Sequence, residues 1–182
     1  MENINELLKQ VPLAASDLAS NLSTVLQSQF LSPEQIWSVA LTSSFFVQHP
    51  ALTTAVLADA RGVIGEDGVE DARGAAAIMG MNAVYYQFRH LIDKESYSER
   101  MAGLRMNRMV NPATSKLQFE LCSLACAAIA GCEACLLAHE ANLIEEGLTE
   151  DEVHDTIRIA AVTQGVAIAL SSAPSAPGEM EP

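Results

Sequence analysis

The stretch that decides the fold is QFELCSLACAAIAGCEACLLAHE, residues 118–140. It is rich in alanine and leucine, which are strong helix formers, and it lacks the alternation of apolar and polar residues that a half-buried strand requires. Gly131 divides it, because glycine favours the end of a helix over its interior. The stretch therefore predicts two consecutive helices, over residues 116–130 and 132–146.

Capping signals elsewhere extend the helical pattern. The sequence SPEQ at residues 32–35 places serine at an N-cap, proline at the first helical position and glutamine as the capping partner. Thr149 and Glu152 are a similar signal for a last helix that continues to about Leu170. We therefore predict an all-α fold with no sheet. The other expected elements are a first helix that opens at Ser16 or Ser20, helices from Pro33 to near His49 and over residues 52–63 and 70–91, a loop over 65–68 and an irregular stretch over 97–115.

Two similar segments indicate an internal duplication. Residues 77–84, AIMGMNAV, and residues 128–135, AIAGCEAC, share the frame A-I-x-G-x-x-A. We interpret them as parts of a repeated helical unit, with a first copy at about 31–92 and a second at about 115–170. Because the first segment lacks the cysteines of the second, we predict an inert first copy that serves as scaffold. Chance similarity between alanine-rich helices is the alternative.

Composition and charge limit the class of protein. The 182 residues are 49% hydrophobic and 18% charged, which suits one domain over residues 1–170 and excludes a disordered chain. Only the Pro/Ser-rich tail over 171–182 is expected to be disordered. The net charge of −13 argues against a nucleic-acid partner, since phosphate would be repelled. The chain shows neither an apolar run of the ~18 residues that a bilayer span needs nor a signal-peptide pattern, so we expect a cytoplasmic protein with no membrane partner.

Two cysteines and a histidine in the second copy carry the candidate chemistry. Cys132 and Cys135 are three residues apart and His139 follows four residues later, so all three lie on one helical stripe. The start of a helix stabilises a thiolate at Cys132, and His139 is placed to take a proton from a thiol. Glu120 lies in an apolar part of the preceding helix, where a buried carboxylate needs a partner such as His139. We therefore predict a redox-active dithiol served by a proton relay.

A metal site is the alternative interpretation of this cluster. The four residues of the relay and the dithiol offer four ligands, and Cys122 and Cys126 are close enough in sequence to join them. Structural zinc sites usually draw two pairs of ligands from loops, whereas these residues lie on predicted helices. Cys122 and Cys126 are four residues apart in an apolar helix, so we predict that they are inert core thiols.

Two assignments within the relay have alternatives of their own. The Glu120 carboxylate can instead pair with an arginine such as Arg105 or Arg108. Either cysteine can attack a substrate, because Cys132 gains more from the helix start while Cys135 is one turn from His139. We favour Cys135 as the activated thiol and Cys132 as the resolving one.

The pattern E…CxxCxxxH within residues 120–139 resembles the AhpD family of alkylhydroperoxidases, in the carboxymuconolactone-decarboxylase-like superfamily. The segments AAAIMGMNAVYYQFRHL at 75–91 and GLRMNRMVNP at 103–112 are similar to the same family. The resemblance extends over about residues 5–170, and the complete pattern is far more specific than a CxxC pair alone.

The resemblance implies an all-helical, duplicated fold that assembles as a homotrimer. It implies that Glu120, Cys132, Cys135 and His139 are catalytic and that Cys132 and Cys135 form the redox disulfide. No tightly bound cofactor is implied, because electrons come from the lipoyl group, as dihydrolipoamide, on the dihydrolipoamide acyltransferase component of a 2-oxoacid dehydrogenase. The dithiol then reduces an AhpC-type peroxiredoxin or, directly, an alkyl hydroperoxide.

One position departs from the family pattern. Ala134 stands where well-known members have a histidine just before the second cysteine, so a hydrogen-bonding or proton-transfer group is missing there. The sequence favours an antioxidant dithiol peroxidase, and a non-catalytic helical protein with a Cys/His/Glu metal site is the alternative. A third possibility is the decarboxylase activity found in the superfamily, but that activity would not need the cysteine pair.

Overall fold

The computed structural model describes residues 1–172, and helices dominate this part of the chain. In chain order they are α1 (Glu2–Leu8), α2 (Ser16–Val25), α3 (Pro33–Val47), α4 (Pro50–Ile92), α5 (Glu95–Ser98), α6 (Asn107–Val110), α7 (Lys116–Ala130), α8 (Glu133–Glu145) and α9 (Glu150–Ser171), with a 3-10 helix at Leu13–Ala15. The described residues contain no strand, which confirms the all-α prediction. None of their helices combines the length and the apolar character that crossing a membrane requires.

Helix α3 lies at the centre of the core. Its residues 36–44 are all buried, because α4, α7 and α9 pack around it. Helix α1 packs on α4, α2 packs on α9, and α8 packs against both α7 and α4. This arrangement brings α8, which carries the CxxC pair, against the second half of the long helix α4.

The predicted capping signals are present in the structure. The Ser32 side chain accepts a hydrogen bond from the backbone of Gln35, and the Gln35 side chain accepts one from the backbone of Ser32. Thr149 and Glu152 form the same reciprocal pair at the start of α9. Gly131 ends α7 in the left-handed conformation, with φ 65°. These ends are defined by side chains and glycine next to the helix, which is why the sequence predicted them.

The predicted loop over residues 65–68 is wrong except at its first residue. Gly65 has φ 66° and ψ −177°, a non-helical conformation that glycine tolerates, and it divides α4 into two helical parts that meet at a kink. Residues 66–92 continue as helix. Gly68 is buried, and a Cβ atom at its position would lie 2.7 Å from the Cβ of Ile64. Gly68 therefore permits close packing across the kink.

Both ends of the chain differ from the expectation. The sequence signals did not predict α1, which is held by tertiary contacts: the carboxylate of Asp59 accepts hydrogen bonds from the backbone N–H groups of Asn3 and Ile4, and Ile4 is fully buried. At the other end, Ser171 belongs to α9, so the chain is helical where the predicted tail begins. The rest of that tail, residues 173–182, lies outside the described residues.

The two copies of the A-I-x-G-x-x-A frame lie in different local structures. Gly80 is within the continuous second part of α4, whereas Gly131 ends α7. The chain therefore turns beside the CxxC pair and runs straight at the corresponding point of the first copy. The duplication and its domain boundaries stay a prediction.

Candidate active site

A disulfide joins Cys132 and Cys135 at the start of α8. Cys132 is the N-cap residue, and its Sγ accepts a hydrogen bond from the backbone N–H of Cys135 at 3.4 Å. The turn at Gly131 places the two sulfur atoms beside the N–H groups that a helix start leaves unpaired. These groups and the helix dipole stabilise negative charge, so the site favours a thiolate once the disulfide is reduced.

The predicted contact between Glu120 and His139 is present. Oε2 of Glu120 lies 2.5 Å from Nδ1 of His139, and both side chains are largely buried. Because a carboxylate only accepts, the imidazole donates from Nδ1, which leaves Nε2 for proton exchange. Within residues 1–172, neither Arg105 nor Arg108 forms an ion pair with this carboxylate.

Cys135 and His139 open onto the same cavity, which has a volume of about 210 Å³. Cys135 is 5% exposed, whereas Cys132 is fully buried and does not line the cavity. Most of the wall is apolar, so an uncharged organic molecule is the kind of ligand that it suits. The remaining lining residues are Asn82, Tyr86, Met106, Met109, Ala134 and Ala138.

A buried carboxylate holds the segment that carries the cavity's methionines. Asp71 accepts hydrogen bonds from Nε of Arg108 at 2.6 Å, from the backbone of Ala113 at 3.1 Å and from the backbone and hydroxyl of Thr114, both at 2.7 Å. Burial by itself raises the pKa of the Asp71 carboxyl, but the hydrogen bonds outweigh it and hold that pKa below its ordinary value. Asp71 thus fixes α6, and with it Met109, against the cavity.

The two remaining cysteines are core thiols, as predicted. Cys122 and Cys126 are buried and unpaired by any disulfide. Burial raises the pKa of the Cys122 thiol to about 12 and raises the pKa of the Cys126 thiol well above its ordinary value. Among residues 1–172, no group of three or more His, Cys, Asp or Glu side chains is placed to hold a metal ion.

A second Glu–His pair lies at the surface near the dithiol. Oε2 of Glu133 is 3.2 Å from Nε2 of His90, and both side chains are largely exposed. The pair links α8 to the end of α4, and it takes no part in lining the cavity. It differs from the Glu120–His139 pair in its exposure to solvent, in the ring nitrogen that contacts the carboxylate and in its longer contact distance.

The sequence did not identify the cavity residues on α4 and near α6. Asn82 and Tyr86 lie in the predicted inert copy, and Met106 and Met109 lie in the predicted irregular stretch. One signal was available in the sequence, because Asn82 is a polar residue within the apolar segment IMGMNAV. In the structure only 5% of its surface is exposed. The first copy therefore supplies part of the cavity wall.

Comparison with known proteins places the chain in a family. Residues 95–176 match the model of the carboxymuconolactone decarboxylase family. The alkyl hydroperoxide reductase AhpD of Anaeromyxobacter dehalogenans (strain 2CP-C) is 47% identical over 97% of this chain and 97% of its own. The protein of the same name from Rhodospirillum centenum is 37% identical over 97% of this chain and 95% of its own. With this identity over nearly the whole length and the E…CxxCxxxH cluster assembled in the fold, the chain belongs to the AhpD family of alkylhydroperoxidases.

Proposed function

We propose that this protein is an antioxidant dithiol peroxidase that reduces alkyl hydroperoxides through a Cys132–Cys135 disulfide cycle. The observation that carries the proposal is the shared cavity: the cysteine of a disulfide and a histidine bound to a buried carboxylate line the same apolar space. The relatives are alkyl hydroperoxide reductases by name, which supports the same reaction class.

The peroxide step begins with the reduced dithiol. Glu120 orients His139, which takes the thiol proton of Cys135, and the thiolate attacks the terminal oxygen of the hydroperoxide. The S–O bond forms, the O–O bond breaks, and the alkoxide takes the proton from His139 to leave as an alcohol. Cys135 is then a sulfenic acid, oxidised by two electrons.

The resolving step restores the disulfide. The Cys132 thiolate attacks Sγ of Cys135, the S–S bond forms, and the hydroxide that leaves is protonated to water. The position of Cys132 supports this order, because it is fully buried behind Cys135 and outside the cavity. The helix start beside Cys132 favours its thiolate form during this attack.

We assign the reducing electrons to the lipoyl group of a dihydrolipoamide acyltransferase. Dihydrolipoamide becomes a cyclic disulfide as it returns the protein to its dithiol form by thiol–disulfide exchange. The same exchange lets the dithiol reduce the disulfide of an AhpC-type peroxiredoxin, the second route by which the protein removes peroxide. Such a cycle needs a compartment that supplies reductant, so we place it in the cytoplasm. Membership of the AhpD family supports these partners.

We also propose that the chain assembles as a homotrimer. Several large apolar side chains are exposed on the single chain, and an apolar surface of this kind favours association. Sedimentation equilibrium at micromolar concentration should report three chains, and a monomer would contradict the proposal. The exposed apolar residues include Val84, Leu91, Met101 and Leu137.

Thiol counting tests the peroxidase proposal directly. The protein is reduced with dihydrolipoamide, freed of reductant and treated with tert-butyl hydroperoxide, and thiols are counted before and after unfolding. We expect the loss of the Cys132 and Cys135 thiols, one tert-butanol per cycle, and recovery with dihydrolipoamide. A Cys135→Ser variant is the control and should form no disulfide. Unchanged thiols in the wild-type protein, or stoichiometric zinc by elemental analysis, would refute the proposal.

A further inference from the structure

Helix α8 presents two alanines to the active-site cavity, next to the two reactive side chains. Ala134 precedes Cys135 and Ala138 precedes His139, and all four residues line the cavity. Alanine has no side-chain atom beyond Cβ, so α8 adds only methyl groups to the wall beside the reactive sulfur atom and the imidazole. Ala138 is exposed rather than covered by a neighbouring residue, so a ligand in the cavity can lie against its methyl group.

The direction of side chains on an α-helix gives position 138 control over access to Cys135. A long side chain on a helix leans towards the N-terminus and covers the turn before its own Cα atom. For position 138 that turn contains Ala134 and Cys135, whereas for position 134 it lies at Gly131, before the start of α8. A larger residue in place of Ala138 would therefore occupy space in front of Cys135 that the alanine leaves open.

The cavity is small and apolar, which limits the ligand further. Its volume is about 210 Å³, whereas pockets for drug-sized ligands have volumes of roughly 300–1,000 Å³. Met106 and Met109 add apolar surface to the same wall. The net charge of −13 disfavours an anionic ligand, such as the hydroperoxide of a fatty acid. A compact, uncharged alkyl group satisfies these three conditions.

We infer that Ala138 is a specificity-determining residue, whose small side chain lets a compact, uncharged tertiary alkyl hydroperoxide bring its terminal oxygen to Cys135. This inference rests on the proposed function and names the substrate class for it. A tertiary alkyl group is branched next to the O–O bond, so it needs space immediately beside the sulfur atom. Hydrogen peroxide has no alkyl group and needs none of that space.

The chemistry is the same for both kinds of peroxide. The Cys135 thiolate takes the terminal oxygen and becomes a sulfenic acid, while the alkoxide, or hydroxide from hydrogen peroxide, leaves with the proton from His139. A change at position 138 that only narrows the cavity should therefore slow the reaction with alkyl hydroperoxides and spare the reaction with hydrogen peroxide. A change that damages the relay would slow both reactions equally.

Ala138→Leu tests the inference in the full-length protein, because leucine is also a strong helix former. Rapid mixing of the reduced variant with hydrogen peroxide, tert-butyl hydroperoxide or cumene hydroperoxide gives the second-order rate constant for thiol loss with each. We expect the constant for hydrogen peroxide to stay at the wild-type value. The constant for tert-butyl hydroperoxide should fall roughly 10-fold and that for cumene hydroperoxide roughly 100-fold, since one methylene group in an apolar pocket changes a rate by about 10- to 200-fold.

Ala141→Leu is the matched control, because Ala141 is an exposed alanine of the same helix that does not line the cavity. It should retain all three wild-type constants. Ala134→Leu should slow the two alkyl hydroperoxides less than Ala138→Leu does, since its side chain leans away from Cys135.

Four results would each overturn the inference. They are unchanged constants for both alkyl hydroperoxides in Ala138→Leu, an equal loss with all three peroxides in that variant, the same losses in Ala141→Leu, and a larger loss in Ala134→Leu. A wild-type protein that reacts with none of the three peroxides would instead refute the proposed function, and the inference with it.

Discussion

Glu120→Gln tests whether the buried carboxylate makes the imidazole of His139 a better proton acceptor for the dithiol. The substitution keeps the shape of the side chain and a neutral acceptor, and it removes the negative charge. The affected hydrogen bond spans 2.5 Å, and its two side chains are only 21% and 11% exposed, so solvent does little to replace it. The change therefore isolates the electrostatic part of the relay.

The expected magnitude follows from the type of hydrogen bond. A bond to a charged group is worth about 1.5–3 kcal/mol and a neutral one about 0.5–1.5 kcal/mol, so the substitution removes about 1–1.5 kcal/mol. That difference corresponds to a roughly tenfold slower reaction with hydroperoxide at neutral pH. His139→Ala removes the proton acceptor itself and should cost roughly 10²- to 10⁴-fold. The double variant should be little slower than His139→Ala, because groups that act as one unit are not additive.

Single-turnover thiol loss with tert-butyl hydroperoxide is the assay, followed across neutral to alkaline pH. Higher pH should partly rescue both variants, because hydroxide then deprotonates the thiol without the relay. Glu133→Gln is the matched control, since Glu133 also pairs with a histidine but is exposed and outside the cavity. A wild-type rate for Glu120→Gln at neutral pH would refute the reasoning, and Glu120 would then be a structural carboxylate.

Three further predictions concern the other cysteines and the segment over the cavity. Cys132→Ser should retain a single turnover with hydroperoxide and trap a sulfenic acid on Cys135, detected by mass spectrometry, and the same result in Cys135→Ser would reverse the two roles. In the folded, reduced protein, N-ethylmaleimide near pH 8 should label Cys135 but neither Cys122 nor Cys126, whose pKa values are raised by burial; rapid labelling of either would contradict their placement in the core. Asp71→Asn should lower the free energy of unfolding by about 2–3 kcal/mol near neutral pH, since the amide turns a donor towards backbone N–H groups. Because the pKa of the Asp71 carboxyl is lower in the folded protein, its stabilisation is present above the ordinary aspartate pKa and is lost as the pH falls towards the folded value, so urea unfolding of the variant should depend less on acidic pH than that of the wild type.

Local patterns predicted most of the helices and the candidate reactive cluster. The Ser32 and Thr149 caps and the break at Gly131 each depend on residues within one helical turn, where sequence and geometry are closely linked. The same applies to the dithiol and His139, because a spacing of three and four residues places side chains on one face of any helix. Even the Glu120–His139 contact followed from a simple rule: a carboxylate in an apolar helix needs a partner, and a histidine was on the next helix.

Only the tertiary structure decided the features that depend on residues far apart in the chain. Asp59 accepts a hydrogen bond from α1, more than fifty residues away in sequence, and Asp71 accepts hydrogen bonds from Arg108 and the following loop, about forty residues away. Neither pairing leaves a periodic signal in the sequence. Glycine is typical of loops, but Gly68 lies within α4, where its lack of a Cβ atom leaves room for the Ile64 side chain. The cavity also depends on distant segments: Asn82 lies on α4 and Cys135 on α8, and both line it because α4 and α8 pack against each other and against α7. The sequence by itself therefore determined which residues form the candidate reactive cluster, because the cluster depends on spacing within a turn. The shape of the cavity beside it depends on burial between distant segments.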